Sequence, residues 1–215
     1  MGFIRKKTSS AVNKFTAALE IAGKRRIVWD KLKKESFMKR EIIEFASFNT
    51  QIFNLWAKDW LLLSAGSFPE KKYNMMTVGW GSIGVIWRKP FVMALVRPQR
   101  YTINFMENFD SFTLTAFPQE KRNILDFCGS KSGRDFPDKA RAAGLTAIAS
   151  RKVAAPSYEE ASLVLECRKT YAGELQKEGF LQEALCKEFY PEGDLHKVYF
   201  GEILHIEGTP EFRVK

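Results

Sequence analysis

The first residues whose spacing could do chemistry are three glycines in "VGWGSIGV". Gly79, Gly81 and Gly84 have the G-x-G-x-x-G spacing of a dinucleotide-binding turn. That motif requires a helix starting at its last glycine. Here "VIWRKPFVMALV" follows, β-branched and aromatic, with Pro90 where a helix would be in its third turn. The stretch reads as strand, turn at "RKP", strand. The glycines then mark a backbone passing close to something flat, or a bulge within a sheet. Two other loops could hold an anion. "RPQRYT" offers Arg97, Arg100, Tyr101 and Thr102 at the start of an expected helix. "GSKSGRD" offers Ser130, Lys131, Ser132 and Arg134 among glycines. Helix starts, hydroxyls and cations are how proteins hold phosphate. No nucleophile elbow, Ser-His-Asp pattern or Walker loop accompanies them. Any reaction would therefore be carried by a cofactor that the protein grips and orients.

Metal ligation is not expected. The chain has only two histidines, His196 and His205, and its three cysteines, Cys128, Cys167 and Cys186, are scattered with no C-x-x-C pair. The cysteines read as reduced, partly buried thiols of a cytoplasmic protein. No run of about 18 apolar residues suggests a transmembrane helix.

The elements that must position these groups divide the chain in two. Residues 1–40 form a basic, helical N-terminal arm, and 41–215 a globular domain. The arm holds twelve Lys/Arg against Glu20, Asp30 and Glu35, and so carries the whole net charge of +9. Ala11, Val12, Phe15, Ala18, Leu19 and Ala22 recur at helical spacing, and a second helix is expected from about Lys31 to Phe48. A basic amphipathic helix suits a membrane surface or a partner. The alanine-built apolar face favours packing on the protein itself or on a dimer mate. No nucleic-acid motif accompanies the basic stripe, so nucleic acid is not an expected partner. Beyond the arm, "WLLLSAG", "MMTVGWG", "IGVIW", "FVMALVRP", "SFTLTAF", "ASLVLECRKTY" and "KVYFGEILHIEG" read as seven short strands. They predict a mainly β, antiparallel barrel or sandwich. Helical inserts fit "RYTINFMENF", "QEKRNILDFCG", "FPDKARAAGL" and "GFLQEALCKEF".

The stretches "KDWLLLSAG", "YNMMTVGWGSIGVIWRKP", "VRPQRYTINF", "GSKSGRD", "LECRKTY" and "HKVYFGEI", in that order over about residues 50–206, resemble the flavin reductase-like, FMN-binding split-barrel family, flavoredoxins among them. The resemblance implies a six-stranded antiparallel Greek-key barrel with flanking helices. It also implies a homodimer with FMN near the interface, and NAD(P)H as electron donor to an unknown acceptor. It implies that Asn74, Met75, Met76 and Thr77 line the isoalloxazine and that Trp80 and Gly81 continue that wall. Arg97, Arg100, Tyr101 and Thr102 then meet the ribityl phosphate, and Ser130, Lys131, Ser132 and Arg134 form a second phosphate-side loop. His196 falls near the face where nicotinamide would stack, although Leu195 stands between Asp194 and this histidine, where relatives have the two adjacent. The resemblance does not cover the arm. Two other functions are weighed: an FMN-binding electron carrier without NAD(P)H activity, and a module that binds an anionic surface through the arm.

Overall fold

The computed structural model describes residues 39–214. The chain divides into two units, Met1–Phe37 and Met38–Lys215, and the described residues all belong to the second. The arm helix expected at 11–22 and the first part of the helix expected from Lys31 lie outside the described residues.

The expected strands form one antiparallel sheet. Its long members are β2 (Leu61–Ser67), β3 (Lys72–Val78), β4 (Gly81–Ile86), β5 (Lys89–Val96), β6 (Ser111–Ala116), β9 (Leu163–Glu174) and β10 (Lys197–Gly208). They lie in the order β3-β2-β6-β9-β10-β5-β4, and the two-residue β1 (Glu41–Ile42) pairs with β10 as an eighth strand. A separate ribbon joins β7 (Ala147–Ile148) to β8 (Ser157–Tyr158). Leu63 of β2, Met76 of β3, Val92 of β5, Phe112 of β6, Leu165 of β9 and Ile203 of β10 share one buried cluster. The sheet must therefore wrap around that core. β3 and β4 end the strand order, and this mainly β antiparallel sheet with its few flanking helices is the architecture the resemblance implied.

All seven residues of β2 and all six of β6 are buried. An amphipathic strand would expose every second side chain, so continuous burial means that both faces are covered. Leu61, Leu63 and Ala65 point into the barrel, while Leu62 meets an outer cluster with Ile124, Leu125 and Cys128. Those three come from the helix Arg122–Ser130, at positions that share one face. The short helix Lys139–Ala142 adds Ala140 to the same layer. The helix Ile103–Asn108 buries Ile103 and Met106 in the inner core. Each fully buried Leu contributes about 2 kcal/mol.

Two local expectations are corrected. Residues 41–48 are not helical: Glu41 and Ile42 pair with Gly208 and Glu207, and a single turn covers Phe45–Ser47. The β-branched pair Ile42–Ile43 gains more from the exposed edge of β10 than from a helix. The β4–β5 turn lies at Trp87 and Arg88 rather than at 88–90. Both residues have positive φ, 53° and 60°, which is the backbone of a two-residue type I′ hairpin. Pro90 sits inside β5, opposite Val85.

The opening glycines face the protein's own rings. A Cβ on Gly79 would lie 3.0 Å from Trp60 Cδ1, on Gly81 2.6 Å from Trp56 Cζ3, and on Gly84 3.1 Å from Phe91 Cε1. No helix follows them, because residues 81–86 are β4.

Candidate functional site

A cleft of about 670 Å³ opens where β3 passes into β4. That lies within the roughly 300–1,000 Å³ typical of small-molecule sites. One wall is the end of β3, Met76 to Val78, continued by Gly79 and Trp80. The facing wall is the last turn of the helix Arg122–Ser130, with Leu125, Gly129 and Ser130. Thr77 Oγ1 donates to the Leu125 carbonyl and joins these walls. Gly129 permits the approach, since a Cβ there would sit 3.3 Å from Thr77 Cβ. Trp60 closes one side, with the Arg122 guanidinium stacked 3.5 Å from its ring centroid.

Trp80 is held between two rings. Phe189 meets it edge-on at 5.4 Å, and the His196 imidazole is tilted against it at 5.1 Å. His196 is only 7% exposed, and its Nδ1 shares a 2.8 Å hydrogen bond with the Tyr190 hydroxyl. Burial, reinforced by the Arg97 charge, pushes its pKa down to about 4. His196 is therefore neutral at pH 7, able to donate or accept one hydrogen bond but carrying no charge. This depression links stability to pH. Between about pH 6.5 and 4 the unfolded chain binds a proton that the folded chain refuses, so His196 withdraws up to about 3 kcal/mol of stability as pH falls through that window. Urea unfolding at pH 4.5 and 7 should show a smaller pH difference in His196→Asn than in the parent chain. Equal differences would remove His196 from the account.

Arg97 lines the cleft, but its charge is taken. Its guanidinium is paired with the Asp194 carboxylate and donates to the Phe189 carbonyl at 2.9 Å. Gln99 Nε2 also donates to Asp194, at 2.6 Å. Arg97 therefore ties the end of β5 to the segment that carries His196. Arg100 is different. It contacts the Cys128 carbonyl at 3.4 Å, and no carboxylate pairs with it among the described residues. Burial lowers its pKa. Behind it lies Lys139, 4% exposed, whose Nζ donates to the same Cys128 carbonyl and to the Met75 carbonyl, both at 2.9 Å. Its pKa is pushed down to about 8, chiefly by burial, with repulsion from Arg100 adding to the shift. Two partly desolvated cations thus share one carbonyl, and among the described residues neither has an ion-pair partner; Asp126, which also lines the cleft, pairs with Arg122 at 3.6 Å. Such a pair is costly unless something negative binds. The donor set fits a planar ligand with an anionic end: rings and apolar side chains on the walls and Arg100 at the rim, beside Ser130, whose hydroxyl donates to the Asp126 carbonyl at 2.8 Å.

The other expected site residues are distributed unevenly. Asn74, Tyr101 and Arg134 line a second cleft of about 600 Å³. Thr102 is buried between, accepting from Asn74 Nδ2 at 2.8 Å. Met75 sits in the outer core, and only its carbonyl reaches toward the site, through Lys139. Gly81 packs under Trp56. Lys131 is exposed, and Ser132 Oγ accepts from the Arg134 backbone N–H at 3.2 Å. Lys139, Tyr190 and Trp60 were not expected. Lys139 in "PDKARAAGL" has the look of a solvent-facing helical lysine. Among the described residues, no cluster of His, Cys, Asp or Glu could hold a metal, and no helix is long and apolar enough to cross a membrane. All three cysteines are free and buried.

The family model described as "Flavin reductase like domain" matches residues 61–212, which include the whole lining of the second cleft and all of the first except Trp60. Three solved structures share the fold. An FMN-binding domain of a flavin reductases-like enzyme from Shewanella baltica OS155 has a TM-score of 0.57 at 16% identity, covering 80% of this chain and 78% of its own. A flavoredoxin from Methanosarcina acetivorans has a TM-score of 0.55 at 22% identity, covering 80% and 79%. An NADH:FAD oxidoreductase of Streptomyces globisporus C-1027 has a TM-score of 0.54 at 14% identity, covering 71% and 76%.

Proposed function

Because the chain belongs to the flavin reductase-like domain family, as the match over residues 61–212 shows, we propose that it binds FMN in the first cleft, takes hydride from NAD(P)H, and passes the electrons to a flavin, metal or protein acceptor. The observation that carries this reading is the pairing of an aromatic wall, Trp80 and His196, with the cations Arg100 and Lys139, neither in an ion pair among the described residues. Three structural relatives, an FMN-binding domain, a flavoredoxin and an NADH:FAD oxidoreductase, support it.

Bound FMN would supply the hydride acceptor, so the protein needs no strong general acid or base of its own. The residues then act by position. Met76, Thr77 and Trp80 form the wall against which a ring would lie. Neutral His196 fills the end of that wall without adding a charge, and Tyr190 fixes its rotamer. Arg100 would meet the phosphate, while Lys139 holds Arg100's anchoring carbonyl in place. The Arg97–Asp194 pair keeps the His196 segment against Trp80.

Anaerobic addition of NADH, and separately of NADPH, to the FMN-loaded protein tests the reaction. Bleaching of the flavin absorbance by one of them is the expected outcome and names the donor. A spectrum that stays oxidised with both would contradict the reductase and leave an FMN-binding electron carrier.

A further inference from the structure

A third cleft, of about 430 Å³, lies over the end of the β9–β10 ladder and shares no lining residue with the other two. Ala172, Gly173 and Glu174 of β9 pair there with Tyr199, Val198 and Lys197 of β10. Met106 and Glu107 come from the helix Ile103–Asn108, and Lys169 completes the lining. Tyr199 and Met106 also belong to the inner core, so the cleft is continuous with the packed interior of the barrel. Its volume suits a small molecule.

Two hydrogen-bond donors in this cleft are uncommitted. Tyr199 is 2% exposed, and its hydroxyl has no hydrogen-bond partner among the described residues. Burial, with the Glu107 charge adding to it, pushes the phenol pKa up to about 12, so the group stays protonated and able to donate. A buried hydroxyl with nothing to bond destabilises the fold that holds it. Beside it, Lys169 Nζ gives one N–H to the Met106 carbonyl and lies 5.9 Å from the Tyr199 ring centroid. Lys169 is partly buried and has no ion-pair partner among the described residues, although Asp110 and Glu107 are near enough to oppose the lowering of its pKa by burial. An ammonium has three donors, so two remain for a ligand. The acidic residues limit the ligand's charge. Glu107 is paired with Lys197, and Glu174 is exposed to solvent and unpaired among the described residues. A multiply charged anion would meet both carboxylates with Lys169 as the one lining cation not already in an ion pair. A single carboxylate has an oxygen for each free donor. Met106, Ala172 and the Tyr199 ring offer apolar surface to a short hydrocarbon body.

We propose that the third cleft is a binding site for a small monocarboxylic acid, whose carboxylate accepts from Tyr199 Oη and Lys169 Nζ while its apolar body lies against Met106 and Ala172. The bound acid gives the Tyr199 hydroxyl the partner it lacks in the free chain. The site uses no residue of the first cleft, so it stands whether or not flavin binds there.

Calorimetric titration of isovalerate into the full chain, with isovaleramide as the uncharged control, tests this. Isovalerate should bind at one per chain, and isovaleramide should not bind. Tyr199→Phe should weaken isovalerate about tenfold, and so should Lys169→Met, since each loses a hydrogen bond to a charged group. Urea unfolding gives a second readout. Without ligand, Tyr199→Phe should have a midpoint at or above that of the parent, because it removes a hydroxyl that has nothing to bond. Isovalerate should raise the midpoint of the parent and raise that of the variant less. Failure of isovalerate to bind, equal binding of the amide, or unchanged affinity in either variant would overturn the proposal. A lower midpoint for ligand-free Tyr199→Phe would overturn it too, since the hydroxyl would then already be satisfied in the free chain.

Discussion

Arg100→Ala should weaken FMN binding by about thirtyfold and leave riboflavin binding unchanged. Arg100 is half-buried at the cleft rim, with one long contact to a main-chain carbonyl and no ion-pair partner among the described residues. Its remaining donors are available to a phosphate. A hydrogen bond to a charged group contributes about 2 kcal/mol, which corresponds to that change in Kd. Riboflavin lacks the phosphate and so serves as the control. Quenching of flavin fluorescence reads both affinities on the same protein. Equal losses for the two flavins would mean that the substitution damaged the cleft as a whole. No loss for either would place the phosphate elsewhere. Arg97→Ala should behave differently. Its charge is spent on Asp194 and on the Phe189 carbonyl, so its removal releases the His196 segment before it removes a ligand contact.

The largest expected effect on stability comes from Gly81→Ala. The added Cβ would lie 2.6 Å from Trp56 Cζ3 and closer still to the Met93 carbonyl oxygen of the paired strand. Neither neighbour can yield cheaply. Met93 O belongs to the β4–β5 ladder, and Trp56 is 5% exposed within the inner core. Overpacking a rigid site costs about 1–3 kcal/mol, and a backbone clash adds to it, so a loss of about 3 kcal/mol is expected. Chemical denaturation should show the midpoint fall with little change in slope. Gly79→Ala, where the nearest atom is Trp60 Cδ1 at 3.0 Å, should cost less. Equal stability of Gly81→Ala and the parent would mean that the strand can move away from Trp56. The G-x-G-x-x-G spacing thus has a packing cause: Gly79 in the link from β3 and Gly81 and Gly84 in β4 each let the backbone pass a large aromatic ring.

The strands were legible because their signal is local. "LLLSAGS", "FTLTA" and "KVYFGEILHIEG" are apolar or alternating runs bounded by turn residues, and each became a strand close to its expected limits. The helix expected to end near Phe48 failed in its described part because Phe37, Ile42, Phe45 and Ala46 imitate a helical face. Pairing of Ile42 with Glu207 is a contact across the whole domain, and no local spacing reports it. The site divides in the same way. The loops carrying Arg100, Tyr101 and Ser130 were recognisable from residue type and from the family resemblance. Lys139 was not. Its burial depends on carbonyls of Met75, 64 residues away, and of Cys128, 11 residues away. Nor could the sequence show that Arg97 is neutralised, since its partner Asp194 lies 97 positions further on.

The central claim is that the cleft bounded by Trp80, His196 and Arg100 holds a flavin. The most direct test is to titrate FMN into the purified chain while following flavin fluorescence, and to repeat the titration with Arg100→Ala. The account predicts saturable quenching at one FMN per chain, with the affinity reduced in the variant. Fluorescence that stays at the free-flavin level with excess protein would contradict it.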